Sequence, residues 1–235
     1  LSAEGYACVS IDLPGHGDTA RLGDSRVATE AVASELKALT SDGDAARPLI
    51  LVGYSMGGRV AMQLAASGEQ QQQLPAIMAI IVLSSSPGHV EAPQRAERAA
   101  RDAQLSGRLR RMPPAHFAAW LRDEWYRAPL WGPSLSDHPG FEAMLRRRCD
   151  GVRPADRADS LQRESVGLQP SFWDWLSSTT TPVLFAAGAE DTTYAPMARQ
   201  AARALGAPEG APEGAGEGAG EGKASAVALV EGAAH

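Results

Sequence analysis

Apolar runs of strand length occur at five places along the chain, separated by longer stretches of mixed character. Each run is nearly continuous in apolar residues instead of alternating, which is typical of strands covered by helices on both faces of a parallel sheet. We therefore predict five strands, at residues 7–13, 48–53, 77–83, 182–187 and 226–230.

Helical periodicity fills several of the intervals between these strands. Apolar residues recur at helical spacing over residues 28–39, 57–66 and 195–205. Because strands and helices alternate along the chain, the pattern predicts an α/β protein with a mostly parallel sheet.

The long interval between the third and fourth strands, residues 88–178, has helical composition and no strand pattern of its own. We interpret it as a helical lid inserted into the sheet domain, with residues 1–87 and 179–235 forming the two parts of the core. The interval holds 14 of the 20 arginines, so we expect the lid to be the cationic part. A coding bias towards arginine over lysine explains most of these residues as ordinary solvated side chains.

A four-residue repeat occupies residues 207–222, first as A-P-E-G and then as A-G-E-G. It has no apolar side chain larger than alanine or proline and cannot contribute to a core. We predict a disordered surface loop without a catalytic role.

The composition narrows the classes of partner. The chain has 235 residues and a formal net charge of −6, which favours a globular domain over a nucleic-acid-binding protein. No apolar run approaches the roughly 20 residues of a membrane-spanning helix, so no membrane span is expected. Cys8 and Cys149 are the two cysteines, and a reducing compartment is favoured because they can form at most one disulfide.

The strand predicted at 48–53 runs into a G-x-S-x-G pattern at 53–57, followed at once by a helical stretch. This is the context of a nucleophile elbow, in which a sharp strand-to-helix turn exposes a serine hydroxyl. The glycines are expected because flanking side chains would collide in such a turn. We predict Ser55 as the nucleophile or base, and the backbone N–H of Met56 as a donor to a developing oxyanion.

A serine hydroxyl needs a base, and an acid and a histidine are expected after later strands in that order. Asp191 follows the strand at 182–187, and His235 follows the strand at 226–230. We predict that Asp191 orients the imidazole and that His235 accepts the proton from Ser55. Glu190 remains the competing candidate for the acid.

The other histidines are interpreted as structural or unassigned. His16 precedes the nucleophile and lies in a Pro-Gly, His-Gly turn, which favours a structural role. His89, His116 and His138 lack the spacing of metal ligands. We therefore predict neither a metal nor a cofactor.

Five further motifs stand out along the chain: I-D-L-P-G-H-G at 11–17, L-V-G-Y-S-M-G-G-R-V-A-M at 51–62, S-S-P-G at 85–88, W-Y-x-x-P-L-W at 125–131 and L-Q-P-S-F-W-D-W-L at 168–176. Together they resemble one branch of the α/β-hydrolase superfamily, the SHCHC synthases, which make 2-succinyl-6-hydroxy-2,4-cyclohexadiene-1-carboxylate. The resemblance implies the α/β-hydrolase fold with an inserted helical lid. This branch also includes the last domain of the multifunctional plant and algal phylloquinone protein.

The resemblance implies a carbon–oxygen lyase of menaquinone or phylloquinone biosynthesis. Such enzymes remove pyruvate from 2-succinyl-5-enolpyruvyl-6-hydroxy-3-cyclohexene-1-carboxylate, with the triad acting as a base. The substrate is a small tricarboxylate, and arginine binds carboxylates with two parallel hydrogen bonds. By position in the family pattern, the substrate-binding residues are Tyr54, Arg59, Arg98, Trp125 and Arg148.

Several alternatives stay open. Arg146 and Arg147 adjoin Arg148, so a shift of one residue would change that assignment, and Trp125 is equally consistent with plain packing. The family's oxyanion-hole loop and its continuation after the histidine lie outside the chain, so we expect a fragment.

A generic serine esterase or hydrolase of the same fold is the alternative function, and a catalytically inactive fragment is another. The repeat and the arginine bias suit a green alga, which would imply a plastid. A bacterial cytoplasm is the other expected location, and fusion to other biosynthetic domains is left open.

Overall fold

The computed structural model describes residues 2–22, 26–40, 48–71, 76–132, 135–206 and 226–235. Its centre is a parallel sheet with strand order β1-β2-β3-β4, which confirms the predicted α/β class. The repeat at 207–222 lies outside the described residues. The strands are β1 (Leu49–Tyr54), β2 (Ile77–Leu83), β3 (Val183–Gly188) and β4 (Ala226–Val230).

Helices connect and cover the strands. The patterns predicted at 28–39, 57–66 and 195–205 correspond to α2, α3 and α9, and five helices lie between β2 and β3 in the chain. In the described part of the chain, no helix is both long and apolar enough to cross a membrane. The helices are α1 (Gly17–Leu22), α2 (Ala28–Thr40), α3 (Met56–Gln71), α4 (Ala92–Arg110), α5 (Pro114–Trp120), α6 (Phe141–Cys149), α7 (Pro154–Arg163), α8 (Trp173–Ser178) and α9 (Tyr194–Ala204).

The strand register brings the carboxyl ends of the strands together. Tyr54 pairs with Leu83, Leu83 pairs with Ala186, and Gly188 pairs with Val230. Parallel strands all end at the same edge of a sheet, and in such folds this edge carries the ligand site. The segments that follow the four strands therefore meet at one edge.

The prediction of a strand at residues 7–13 is wrong. These residues form no backbone ladder, and the described sheet starts at β1. An apolar run becomes a strand only beside a hydrogen-bonded partner, and among the described residues no strand lies next to this run. Val9 is 63% exposed as a result, whereas Ile11 and Leu13 pack partly against α2 and α3.

Apolar side chains form separate clusters in the sheet and in the inserted helices. The sheet cluster surrounds Ile80 and Phe185 and is covered by α3, α8 and α9. The helical cluster surrounds Tyr126 and Leu145 and is built from α4 to α7 with the turns between α5 and α6. Each cluster buries large side chains, so burial of apolar area stabilises both parts.

Candidate active site

Ser55 lies in the turn between β1 and α3. Its φ of 51° is in the left-handed region, which is uncommon for a residue with a side chain. The Ser55 N–H donates to the carbonyl of Leu83 at 2.8 Å, and the Ser85 hydroxyl donates to the Ser55 carbonyl at 2.6 Å. These two hydrogen bonds to the end of β2 hold the strained turn in place.

The glycines around Ser55 differ in whether the turn leaves room for a Cβ atom. A Cβ atom on Gly53 would lie 2.2 Å from the carbonyl oxygen of Gly57, and one on Gly58 would lie 2.7 Å from the Ser85 Cβ. A Cβ on Gly57 would have no heavy atom within 4 Å. The expectation that flanking side chains would collide is therefore wrong for Gly57, the last glycine of the G-x-S-x-G pattern. The close contact falls on Gly58 instead.

Asp191 and His235 form a buried pair. The Asp191 Oδ2 lies 3.2 Å from the His235 Nδ1, and each side chain is 1% exposed. The Oδ1 of Asp191 accepts the N–H groups of Thr193 and Tyr194 at 3.0 and 2.8 Å. Glu190, the alternative acid, has an exposed side chain. The geometry thus pairs the imidazole with Asp191.

Backbone contacts hold together the loops that carry this pair. The N–H of Ala189 donates to Val230, and the N–H of Glu190 donates to Ala233, both at 2.9 Å. A Cβ on Gly188 would lie 2.2 Å from the carbonyl oxygen of Ala233. The loops after β3 and β4 can approach this closely only because residue 188 has no side chain.

Aromatic rings enclose the His235 imidazole. The ring centroids of Tyr194, Trp131 and Tyr54 lie 4.7, 5.1 and 5.2 Å from that of His235. Burial lowers the pKa of His235 below its ordinary value of 6.5, and the Asp191 carboxylate opposes the shift. The imidazole is therefore neutral near pH 7, which is the protonation state of a general base.

Arg59 lies in the first turn of α3. Its Nη1 donates to the carbonyl of Glu164 at 2.6 Å and to the Oε1 of Gln169 at 3.2 Å. Burial lowers the pKa of Arg59, and Arg98 adds to that effect while Tyr194 opposes it.

Arg98, in α4, extends the cationic side of the site. Burial raises the pKa of Tyr194, and the positive charges of Arg98 and Arg59 oppose the shift. Because the Tyr194 ring also stacks on His235, this tyrosine connects the two arginines with the imidazole.

Arg148 reaches the site from α6. Its Nη1 donates to the Tyr126 hydroxyl at 2.6 Å, and its guanidinium carbon lies 5.6 Å from the centroid of that ring. Burial raises the pKa of Tyr54 to about 12, and the charge of Arg148 opposes this shift. The charge of Arg148 therefore acts on the phenol of Tyr54, which is next to Ser55 in the chain.

Trp125 is separated from the imidazole by one ring. Its centroid lies 5.7 Å from that of Trp120 and 6.0 Å from that of Trp131. Trp131 in turn contacts His235. Trp125 therefore packs in the aromatic part of the helical cluster and reaches His235 only through Trp131.

Comparison with known proteins identifies the family. The profile of the alpha/beta hydrolase family matches residues 1–235. The chain belongs to this family. Two curated relatives are both 2-succinyl-6-hydroxy-2,4-cyclohexadiene-1-carboxylate synthases. That of Serratia proteamaculans is 32% identical over 198 residues, which cover 83% of this chain and 71% of the relative. That of Escherichia fergusonii is 33% identical over 198 residues, which cover 84% and 72%.

Solved structures agree on the fold of this alpha/beta hydrolase. MenH from S. aureus superposes with a TM-score of 0.73 at 24% identity, covering 96% of this chain and 74% of that chain. A thermophilic esterase from Thermogutta terrifontis superposes with a TM-score of 0.64 at 17% identity, covering 95% and 71%. The resemblance to SHCHC synthases is confirmed by the curated relatives, and the chain is a member of an enzyme family.

Two aromatic residues at this site are absent from the predictions made from the sequence. Trp131 belongs to a motif that we associated with the lid, and Tyr194 begins α9 directly after the Asp191 loop. Tyr194 could have been found from its position, since Asp191 caps its N–H at 2.8 Å. Trp131 could not, because its contact with His235 depends on how the inserted helices pack.

His16 forms hydrogen bonds with residues of its own turn. The His16 N–H donates to Leu13 at 2.9 Å, and its Nδ1 lies 3.2 Å from the carbonyl oxygen of Pro14. In the described ranges, no three His, Cys, Asp or Glu side chains come close enough together to hold a metal ion.

Proposed function

We propose that the protein is a carbon–oxygen lyase. It eliminates pyruvate from 2-succinyl-5-enolpyruvyl-6-hydroxy-3-cyclohexene-1-carboxylate and forms 2-succinyl-6-hydroxy-2,4-cyclohexadiene-1-carboxylate, for menaquinone or phylloquinone. One observation carries the proposal: the buried Asp191–His235 pair lies among tyrosines that are coupled to the charges of three arginines, Arg59, Arg98 and Arg148. The names of the curated relatives support the same reaction.

The arginines suit the substrate because it carries three carboxylates. A guanidinium binds a carboxylate through two parallel charge-assisted hydrogen bonds. The three arginines come from three different helices, α3, α4 and α6. Such an arrangement orients a small polyanion more strictly than a single cation would.

The triad then works as a base. Ser55 removes a ring proton from the substrate, and its own hydroxyl proton passes to the neutral His235, which Asp191 holds in the correct tautomer. The electron pair of the broken C–H bond forms a new ring double bond, the existing ring double bond shifts by one position, and the bond to the enolpyruvyl oxygen breaks. Pyruvate enolate leaves and takes up a proton at carbon. In this proposal the Met56 N–H, at the start of α3, donates a hydrogen bond to the charge that develops during this step.

The competing function is ester hydrolysis, since the same three residues can form an acyl-enzyme. A neutral ester would offer these three arginines no anionic group to bind, which favours a carboxylate-rich substrate. A location in a plastid or in a bacterial cytoplasm stays a prediction. A fusion to other biosynthetic domains stays a prediction as well.

Pyruvate release by the protein made from its full reading frame tests the proposal. We expect release by the wild type and a loss of about 10³-fold or more in Ser55→Ala. Ser177→Ala, at an exposed position of α8, is the matched control and should not change the rate. Cleavage of a simple aryl ester without pyruvate release would assign a hydrolase instead, and neither activity would support an inactive fragment.

A further inference from the structure

A buried acid in the inserted helices is not explained by the triad. Asp102 lies in α4 and is 6% exposed. Both of its carboxylate oxygens accept the Nε–H of Arg98, at 3.0 and 2.9 Å, and its Oδ2 also accepts the Ser165 hydroxyl at 2.6 Å. A buried carboxylate is stable only when it is paired and hydrogen-bonded in this way.

The pairing engages one edge of the Arg98 guanidinium. Arginine has five N–H groups, of which one is on Nε and four are on the two Nη atoms. The contacts of Asp102 use the Nε–H, and the Arg98 side chain is 38% exposed. The four remaining N–H groups form the edge that binds a carboxylate with two hydrogen bonds.

Asp102 also balances charge where two arginines approach each other. The positive charge of Arg98 disfavours the charged form of Arg59, whereas Glu164 and Asp102 favour it. Asp102 is thus a counter-ion for a pair of cations that would otherwise repel each other.

A short loop after α7, residues 164–169, connects with both arginines. The carbonyl oxygen of Glu164 and the side chain of Gln169 accept hydrogen bonds from Arg59. Ser165 donates to Asp102, which holds Arg98. The 164–169 loop therefore fixes the relative position of two guanidinium groups that belong to different helices.

We propose that Asp102 is a positioning residue that aims Arg98 at one carboxylate of the substrate, with Ser165 holding Asp102 in place. This rests on the proposed function, in which Arg98 binds substrate. A purely structural Asp102 would instead serve the packing of α4 on α7, where Ser106 already donates to the carbonyl oxygen of Ala158 at 2.9 Å.

A double-mutant cycle distinguishes the two roles. The variants are Arg98→Met, Asp102→Asn and their combination, and the readouts are kcat and KM for pyruvate release together with thermal unfolding. We expect KM to rise about 10- to 100-fold in Arg98→Met and about 10-fold in Asp102→Asn, with kcat changed by about twofold or less. The combination should be no worse than Arg98→Met alone, because Asp102 acts through Arg98.

Asp156→Asn is the matched control. Asp156 is also a nearly buried acid, and it pairs with Arg153 in α7 at 2.7 Å. This variant should lower thermal stability and leave KM unchanged.

If Asp102→Asn does not fold, Ser165→Ala replaces it in the same cycle. We then expect Ser165→Ala to raise KM in the wild-type background and to leave KM unchanged in the Arg98→Met background.

Additive effects of Arg98→Met and Asp102→Asn would overturn the inference, because the role of Asp102 would then be independent of Arg98. An unchanged KM in Arg98→Met would overturn it as well, although pyruvate release that depends on Ser55 would still support the proposed function. Absence of pyruvate release by the wild-type protein is the result that would reject the proposed function itself.

Discussion

The phenol ring of Tyr194 stacks on the imidazole of His235, with 4.7 Å between the ring centroids and 26° between the planes. The Asp191 carboxylate accepts the backbone N–H of Tyr194 through Oδ1 and faces the imidazole through Oδ2. One acid therefore fixes both the histidine and the ring that stacks on it.

Replacing Tyr194 separates the effect of its ring from that of its hydroxyl. Tyr194→Phe keeps the stacked ring, and we expect its kcat to stay within about threefold of the wild type. Tyr194→Ala removes the ring and frees the imidazole to tilt, so kcat should fall by about 10- to 100-fold. Steady-state pyruvate release measures both. An equal loss in the two variants would show that the hydroxyl, not the stack, is what matters.

Asp191→Asn should reduce kcat by about 10⁴-fold with little loss of stability. The amide oxygen of asparagine can still accept the N–H groups of Thr193 and Tyr194, as Oδ1 does now. The amide NH₂ would then face the His235 Nδ1 and favour the wrong tautomer. Glu190→Gln, at an exposed position of the same loop, is the control. A comparable loss in Glu190→Gln would make Glu190 the acid.

The pH dependence follows from the lowered pKa of His235. The base must be neutral, so kcat/KM should fall on the acid side with a midpoint below 6.5, the ordinary value for histidine. Below pH 6.5 the unfolded chain binds a proton that folded His235 still excludes. Stability therefore falls as pH drops from 6.5 towards the folded pKa. An NMR titration of the His235 ring checks the midpoint, and a value at or above 6.5 would contradict the prediction.

The glycines of the nucleophile turn make a matched pair for stability. Gly58→Ala would place a Cβ 2.7 Å from the Ser85 Cβ, and we expect a loss of about 1–3 kcal/mol in the free energy of unfolding. Gly57→Ala enters open space within α3 and should stabilise the protein by up to about 1 kcal/mol. Urea denaturation compares the two, and equal losses would contradict the contact geometry.

Local patterns in the sequence predicted most of the sheet. The runs at 77–83 and 226–230 match β2 and β4 residue for residue, and the other two observed strands each begin and end one residue after their predicted bounds. The run at 7–13 has the same local pattern but pairs with no strand among the described residues. Hydrogen bonding between strands is a long-range property, so the apolar pattern alone could not distinguish this run from β2.

Chain order along the sheet also predicted which residues approach each other at its edge. Asp191 and His235 were expected together because each follows a strand, and they are paired at 3.2 Å. Contacts that depend on the inserted helices were not accessible in this way. Asp102 could not be identified from the sequence, since nothing near it in the chain indicates its burial or its hydrogen bond with the Ser165 hydroxyl.

The apolar cluster of the sheet and that of the inserted helices share no residue. Ser55 precedes α3 and Arg59 lies in it, and α3 packs in the cluster of the sheet, whereas Arg98 and Arg148 lie on helices that pack in the other cluster. Substitutions in those helices can therefore change the pattern of cations without altering the turn that carries the serine. Over evolutionary time, such a division lets the choice of substrate diverge while the reaction machinery is inherited unchanged.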